Sequence, residues 1–333
     1  MEKLFVAIPE GAVKSTFVPE NVQKFAEANF DVTYAEKRLS KEELRPILMN
    51  YDAVLTGWGN CMLDKEVLEG NDRLKLIVHT GGTVGNLVDS YAYDAGKTVF
   101  SGNIMYAESV AEGVLSYMLM AQRRIPQYID AVKKGEWRTE ADLWEGLLDK
   151  TVGIIGLGTI SKLLIPLLKP FRVKIKLFTR YLPDEAFMKE YNISGASLEE
   201  IFSTCDIVSV HSALNAENRG LITKECFEML KDNSLFINTS RGEVTDEEAL
   251  IEELKKNRFR AVLDVFHKEP LDKDSELRKL ENVYCIPHMA GPTLDRREKI
   301  TTALIKEARN FFDGKKNSEF EIAAGVAKRM TKM

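Results

Sequence analysis

Three polar side chains stand just beyond short apolar runs: Arg241 in NTSRGE, Glu269 in LDVFHKEP and His288 in CIPHMAGPT. Open α/β sheets carry their reactive groups at the carboxyl ends of their strands, so one site can hold all three. A histidine has a reference pKa of about 6.5 and can hand over a proton near neutrality. A carboxylate beside it favours the imidazolium and orients the ring. An arginine offers a planar fork of donors that can hold a carboxylate and polarise a carbonyl oxygen. Singly, each has a plain structural reading: a loop histidine, a turn glutamate before proline, a helix-capping arginine.

A second chemistry-bearing stretch is Val152-Gly153-Ile154-Ile155-Gly156-Leu157-Gly158-Thr159-Ile160-Ser161, a buried strand, a glycine turn and a helix start. Its pattern is GxGxxS, against the GxGxxG of dinucleotide-binding folds. Gly156 allows the tight turn and Gly158 lets a phosphate approach the backbone. The helix opened by Thr159 and Ile160 offers free N–H groups and a positive dipole end to a pyrophosphate. Ser161 replaces the glycine that packs helix on strand and is small enough to do so. In an NAD site the second strand ends in an acidic residue that binds the adenosine ribose. Here it ends Leu177-Phe178-Thr179-Arg180-Tyr181, and Arg180 can pair with a 2′-phosphate, which tilts the cofactor towards NADPH. A solvent-facing Arg180 with NADH in use stays open, because Asp184 lies close by.

These residues need two series of strands to hold them. Apolar runs at 3–8, 31–34, 53–56, 74–79 and 98–101 alternate with helical patterns at 19–29, 40–48 and 64–69, a first α/β block. Val110, Val114, Leu115, Met118 and Leu119 form one stripe of a connecting helix over 108–122. Six further strands are predicted at 151–155, 173–178, 207–210, 234–238, 261–265 and 283–286, the count of a full dinucleotide-binding sheet. Thr245 with Glu248 fits a helix capping box. A last helix over 295–312 is expected to rejoin the first block. The predicted fold class is α/β: a Rossmann doubly wound parallel sheet in 103–292, and a discontinuous flavodoxin-like substrate-binding domain from 1–102 and 293–333.

Length agrees with two domains, at 333 residues. With 46 Lys and Arg against 51 Asp and Glu, the net charge of −5 argues against nucleic acid as a partner. Cys61, Cys205, Cys226 and Cys285 form no CxxC pair, so no metal site is expected and the thiols read as reduced in a cytoplasmic protein. The longest apolar stretches are short or broken by Ser161 and Lys162, and the N-terminus lacks signal-peptide order, so no membrane partner is expected.

The segments YAESVAEGVLSYMLMAQRR, GIIGLGTIS, CDIVSVHSALNAENRGLI, FINTSRGEVTDEEAL, LDVFHKEPL and IPHMAGPT, in this order and spacing, resemble the D-isomer-specific 2-hydroxyacid dehydrogenases. Relatives in that family include phosphoglycerate dehydrogenase, glyoxylate and hydroxypyruvate reductases, and formate dehydrogenase. The resemblance implies an oxidoreductase acting on the CH–OH group, with NAD or NADP as cofactor and a small 2-oxo or 2-hydroxy acid as substrate. That acid would be glyoxylate- or hydroxypyruvate-like, or phosphoglycerate-like. Arg241, Glu269 and His288 are then the catalytic trio. Asp264 would bind the nicotinamide carboxamide, with Thr179, His211, Ala213 and Thr239 as further cofactor contacts. Gly81, Gly82 and Thr83 would offer backbone amides to the substrate carboxylate beside Arg241 and His288. Trp58 either projects to the substrate or packs in its own domain. The 108–122 helix, with Trp137 and Trp144 after it, resembles the family's dimerisation region, so a homodimer is expected, with a plain core helix as the alternative. Departures from the family pattern are Ser161, the Thr179-Arg180 pair and Ala213 where proline is common. A rival reading is a dinucleotide-sensing corepressor of the same fold without significant turnover.

Overall fold

The computed structural model describes residues 1–137 and 144–330, and the chain divides into two compact units, Met1–Ala107 with Pro292–Met333, and Glu108–Gly291. In the first, β1 (Lys3–Val6), β2 (Asp31–Tyr34), β3 (Ala53–Thr56), β4 (Leu76–His79) and β5 (Thr98–Ser101) form a sheet in the order β2-β1-β3-β4-β5, every pair parallel. That is the flavodoxin-like order. Strands β3 and β4 are buried throughout, which is why AVLT and LIVH read as unbroken runs and not as alternating ones. Ser40 starts the helix Lys41–Leu48 with a capping box: its hydroxyl accepts from Glu43 N–H and the Glu43 carboxylate accepts from Ser40 N–H. The helix Leu294–Phe312 buries Ile300, Leu304, Ile305 and Ala308 against Leu4, Val6, Val22, Ala26 and Phe30. After it the chain runs along the outer edge of β5, where Ser101 N–H donates to Phe320 (2.9 Å) and Ile322 N–H to Val99 (2.9 Å).

The second unit holds β6 (Thr151–Ile155), β7 (Lys174–Phe178), β8 (Ile193–Gly195), β9 (Ile207–Val210), β10 (Leu235–Asn238), β11 (Arg260–Leu263) and β12 (Val283–Cys285). Their order is β12-β11-β10-β9-β6-β7-β8, again all parallel, which is the Rossmann arrangement extended by one strand. The sequence reading counted six strands; β8 is the seventh. Only its Ile193 is buried, and three residues at a sheet edge carry too little pattern to be legible. Alternate residues of each strand feed two cores. Ile155, Val208, Val210 and Phe236 pack on Ile201, Phe202, Phe227 and Leu254, while Val152, Ile154, Ile207 and Ile237 pack on Val114, Met118, Leu164 and Leu168. Each fully buried side chain of this size contributes about 1.5–3 kcal/mol.

Three local expectations are corrected. The connecting helix spans Asn103–Gln122, beginning well before residue 108. The cap of Glu247–Lys255 is Asp246, which accepts from Ala249 N–H (3.0 Å), while Thr245 turns back to donate to Gly242 O (2.8 Å). A helix at Ile125–Lys133, not anticipated, buries none of its side chains.

Candidate active site

The ends of β6 and β9 lie side by side, at the point where the strand order reverses and where open α/β folds bind ligands. Gly156 follows β6 with φ +99°, and a Cβ there would lie 2.9 Å from Ser212 N. Only glycine takes both the left-handed backbone and that approach. Gly158 differs: its φ is −102° and nothing lies within 4 Å of a Cβ built on it. The space in front of it, at the N-terminus of the helix Thr159–Leu168, is a ready cradle for a phosphate. Thr159 and Ile160 open that helix half-buried, and Ser161 is fully buried and donates to Gly156 O (2.7 Å), locking the turn it was expected merely to tolerate.

Two buried groups along the same strand ends have no partner among the described residues. His211 uses Nε2 on Ser209 Oγ (2.9 Å) and leaves Nδ1 unsatisfied; Thr239 leaves Oγ1 unsatisfied. Buried polar atoms are seldom left bare, so both fit a bound polar ligand. Burial pulls the His211 imidazole down to about 4, which keeps it neutral. Ala213 is exposed, and its carbonyl accepts from Asn218 Nδ2 (3.0 Å). Beyond β7, Thr179 is half-buried and Arg180 exposed. Arg180 pairs with Glu217 (2.5 Å), a partner the sequence did not reveal. Asp184, close to Arg180 in sequence, is the N-cap of Glu185–Glu190 and accepts from Phe187 N–H (2.8 Å).

The catalytic candidates come together on the other half of the sheet. Glu269 Oε2 lies 2.6 Å from His288 Nδ1, and Glu269 Oε1 accepts from Phe266 N–H (3.1 Å). With Nδ1 engaged by the carboxylate, Nε2 is the nitrogen left to meet a substrate. His288 has φ +48°, unusual for a side chain of this size, and its N–H donates to Asp264 O (3.0 Å). The Asp264 carboxylate holds the same loop from below, accepting from Met289 N–H (2.8 Å), Ala290 N–H (3.1 Å) and Tyr117 Oη (3.3 Å). Burial raises the Asp264 carboxyl against the lowering effect of those donors, and it raises the Tyr117 phenol as well. Arg241 is turned out of β10 by Asn238, whose Nδ2 donates to Arg241 O (2.9 Å). Its Nη1 donates to Ser240 O (2.6 Å) and its buried Nε has no partner among the described residues. Desolvation pulls this guanidinium below its ordinary value while Glu269 and Glu243 oppose the shift. Gly242 sets the spacing of the trio: a Cβ there would lie 2.1 Å from Phe266 C and 2.3 Å from its O, so the Arg241 turn and the Glu269 loop touch backbone to backbone.

The first unit carries its own candidates. Ser101 Oγ lies 2.8 Å from both Gly81 O and Gly82 O, which turns the carbonyls inward, and the Gly81 and Gly82 amides meet no acceptor among the described residues. Thr83 Oγ1 accepts from Gly85 N–H (3.3 Å). A Cβ on Gly81 would strike His79 Nε2 at 2.4 Å. Trp58, 37% exposed, donates from Nε1 to Tyr106 Oη (3.1 Å) and stands edge-on to His79. His79 is buried against Thr56 Oγ1 (3.0 Å), and that burial pulls it down to about 4. Ser101, Tyr106, Tyr117 and Glu217 escaped the sequence reading; each lies in a helix, strand end or loop whose pattern gives a polar residue no distinction.

Residues 115–290 match the model of the NAD-binding domain of D-isomer-specific 2-hydroxyacid dehydrogenases. Among curated relatives, the D-3-phosphoglycerate dehydrogenase of Methanocaldococcus jannaschii is 31% identical over 277 residues, 83% of this chain and 52% of that one. The glyoxylate reductase of Thermococcus litoralis is 30% identical over 324 residues, 94% of each chain. A solved structure of the PH0520 protein from Pyrococcus horikoshii superposes with a TM-score of 0.78 at 25% identity, covering 98% of this chain and 96% of that one. The chain spans about half the length of the phosphoglycerate dehydrogenases it matches. The chain belongs to the D-isomer-specific 2-hydroxyacid dehydrogenase family, whose members are nicotinamide-dependent oxidoreductases, and its second unit is the domain that takes the nicotinamide dinucleotide. No helix among the described residues is long and apolar enough to cross a membrane.

Proposed function

We propose that this protein is a 2-oxoacid reductase, working reversibly as a D-2-hydroxyacid dehydrogenase, with glyoxylate, hydroxypyruvate or a phosphoglycerate-like acid as substrate. The observation that carries it is the His288–Glu269 pair at 2.6 Å on a backbone held by Asp264, in the unit that also holds Arg241 with an unpaired Nε. The reduced nicotinamide, when bound, supplies the hydride. His288 gives the alkoxide oxygen its proton from Nε2, and Glu269, hydrogen-bonded at Nδ1, holds the ring in register for that transfer. Arg241 grips the substrate carboxylate and steadies the negative charge growing on the carbonyl oxygen; its burial strengthens both contacts. In the first unit, the bare amides of Gly81 and Gly82, with Thr83, are donors suited to a carboxylate, and Trp58 with Tyr106 stands beside them as a candidate substrate contact.

Gly156, Gly158, Thr159 and Ile160 would hold the dinucleotide, with His211, Ala213, Thr239 and Asp264 as further contacts. Thr179 and Arg180, beyond the end of β7, would meet the adenosine ribose. NADPH is the preferred form, because no carboxylate ends β7 and Asp184 is occupied as a helix cap. The working form is a homodimer in the cytoplasm. Supporting the dimer, Ile125, Ile129 and Val132 line one face of their helix at 44%, 49% and 54% exposure, with Trp137 beyond them at 77%. Residues 138–143, between Trp137 and Trp144, lie outside the described residues. Four free cysteines accord with a reducing compartment.

The test is oxidation of NADPH and of NADH, followed at about 340 nm, the absorbance of reduced nicotinamide, against glyoxylate, hydroxypyruvate, phosphohydroxypyruvate, pyruvate and bulkier 2-oxo acids. Turnover with one of the first three, faster with NADPH, is expected. Cofactor binding without turnover of any acid would refute the reductase.

A further inference from the structure

The ion pair between Arg180 and Glu217 joins loops that the proposed function uses for different things. Arg180 follows β7, and Glu217 belongs to the loop after β9. Strand β6 with its glycine turn lies between those two strands in the sheet, so the pair spans the mouth of the turn that cradles the phosphate. Glu217 is set in place by more than its own side chain. Asn215 Oδ1 accepts from both Glu217 N–H (2.9 Å) and Asn218 N–H (2.9 Å), and Asn218 Nδ2 donates to Ala213 O (3.0 Å). The loop is therefore a small hydrogen-bonded turn that presents one carboxylate to one guanidinium. Both side chains are about two-thirds exposed, so the pair is weak and exchangeable.

We propose that Glu217 is a specificity-determining residue for the cofactor: it occupies Arg180 in the free enzyme and sets how far NADPH is favoured over NADH. This rests on the reading of Arg180 as the ligand of the 2′-phosphate. A 2′-phosphate that takes the Nη2 edge of the guanidinium displaces the Glu217 carboxylate, and one that takes another edge still meets that carboxylate's negative charge across the same guanidinium. A ribose with a free 2′-hydroxyl leaves the pair intact. The site thus carries a built-in counterweight, and the enzyme discriminates less sharply than an unopposed arginine would allow.

Dissociation constants of NADPH and NADH, from quenching of tryptophan fluorescence without substrate, test this in wild type, Glu217→Gln, Arg180→Gln and the double variant. Glu217→Gln is expected to tighten NADPH by about two- to fivefold, the span of an exposed ion pair, and to leave NADH unchanged. The gain should vanish in the Arg180→Gln background and shrink in about 1 M salt. If Arg180→Gln leaves the NADPH to NADH ratio unchanged, the 2′-phosphate reading of Arg180 fails and takes this one with it. If Arg180→Gln weakens NADPH but Glu217→Gln changes nothing, Glu217 alone is overturned. A gain that survives in the double variant would mean direct repulsion of the phosphate, which overturns the role through Arg180.

Discussion

Replacing Gly158 by alanine separates folding from cofactor binding. The backbone there is in a region open to every residue, at φ −102° and ψ −167°, and a new Cβ would meet nothing within 4 Å. Loss of glycine's freedom in the unfolded chain stabilises by about 0.4–1 kcal/mol. Alanine is a poorer N-cap than glycine and returns a similar amount. The two offset, so Tm should move by no more than about 2 °C, given about 2–4 °C per kcal/mol at this size. The methyl group would instead occupy the cradle at the helix N-terminus, and crowding a close-packed contact costs about 1–3 kcal/mol. That corresponds to a loss of about 5- to 150-fold in affinity for NADH and NADPH alike, read by fluorescence titration alongside a thermal melt. Unchanged affinity at unchanged Tm would mean that the pyrophosphate does not sit at this turn, and the cofactor placement would have to be abandoned.

Gly242→Ala makes the opposite demand, since its Cβ would overlap Phe266 and push the Arg241 turn away from the Glu269 loop by about an ångström; turnover should fall about a hundredfold with cofactor affinity retained, and a variant of normal turnover would show that the spacing is not needed. Acid should loosen both units, because unfolding lets His79 and His211 take up protons below about pH 6.5 that the fold refuses until about 4. Each withdraws about 3 kcal/mol through that window as pH falls, so urea midpoints should drop between pH 8 and pH 5, and His79→Asn and His211→Asn should each flatten that slope; an unchanged slope would sink the attribution. Charging the exposed face of Ile125–Lys133 with Ile129→Glu and Val132→Glu should yield monomers in sedimentation velocity, whereas dimers that persist would place the interface elsewhere.

What the sequence made legible follows from where the pattern is dense. The strands of both sheets announce themselves as apolar runs, and the glycine turn and the segments around Arg241, Glu269 and His288 mark the ends of particular strands. Right-handed crossovers narrow the topologies those runs allow, and the structure supplies the two strand orders. Burial alone does not decide which edge elements are legible: β2 and β12 have no buried residue and still read as runs, whereas three-residue β8, with a single buried residue, and the helix Ile125–Lys133, with none, escaped. The capping box at Thr245 failed for a different reason, since Asp246 competes for the same free amides one residue later and wins. Long-range polar partners were also out of reach. Nothing local tells that Tyr117 reaches Asp264, that Ser101 holds Gly81 and Gly82, or that Glu217 meets Arg180, because those meetings are set by sheet order.

The helix Leu294–Phe312 and the strand-like run to Ile322 close a core and an edge that the first hundred residues leave open. During synthesis those first residues emerge without the wall that Ile300, Leu304 and Ile305 later provide. Every strand from β6 to β12, by contrast, precedes that helix in the chain and emerges before it. The second unit therefore completes its sheet first, and the first unit waits as an unfinished half until that helix and the run to Ile322 have followed. Interrupted synthesis or early termination leaves a folded nucleotide-binding domain joined to a sheet with bare flanks, the form of this protein most exposed to aggregation and to degradation.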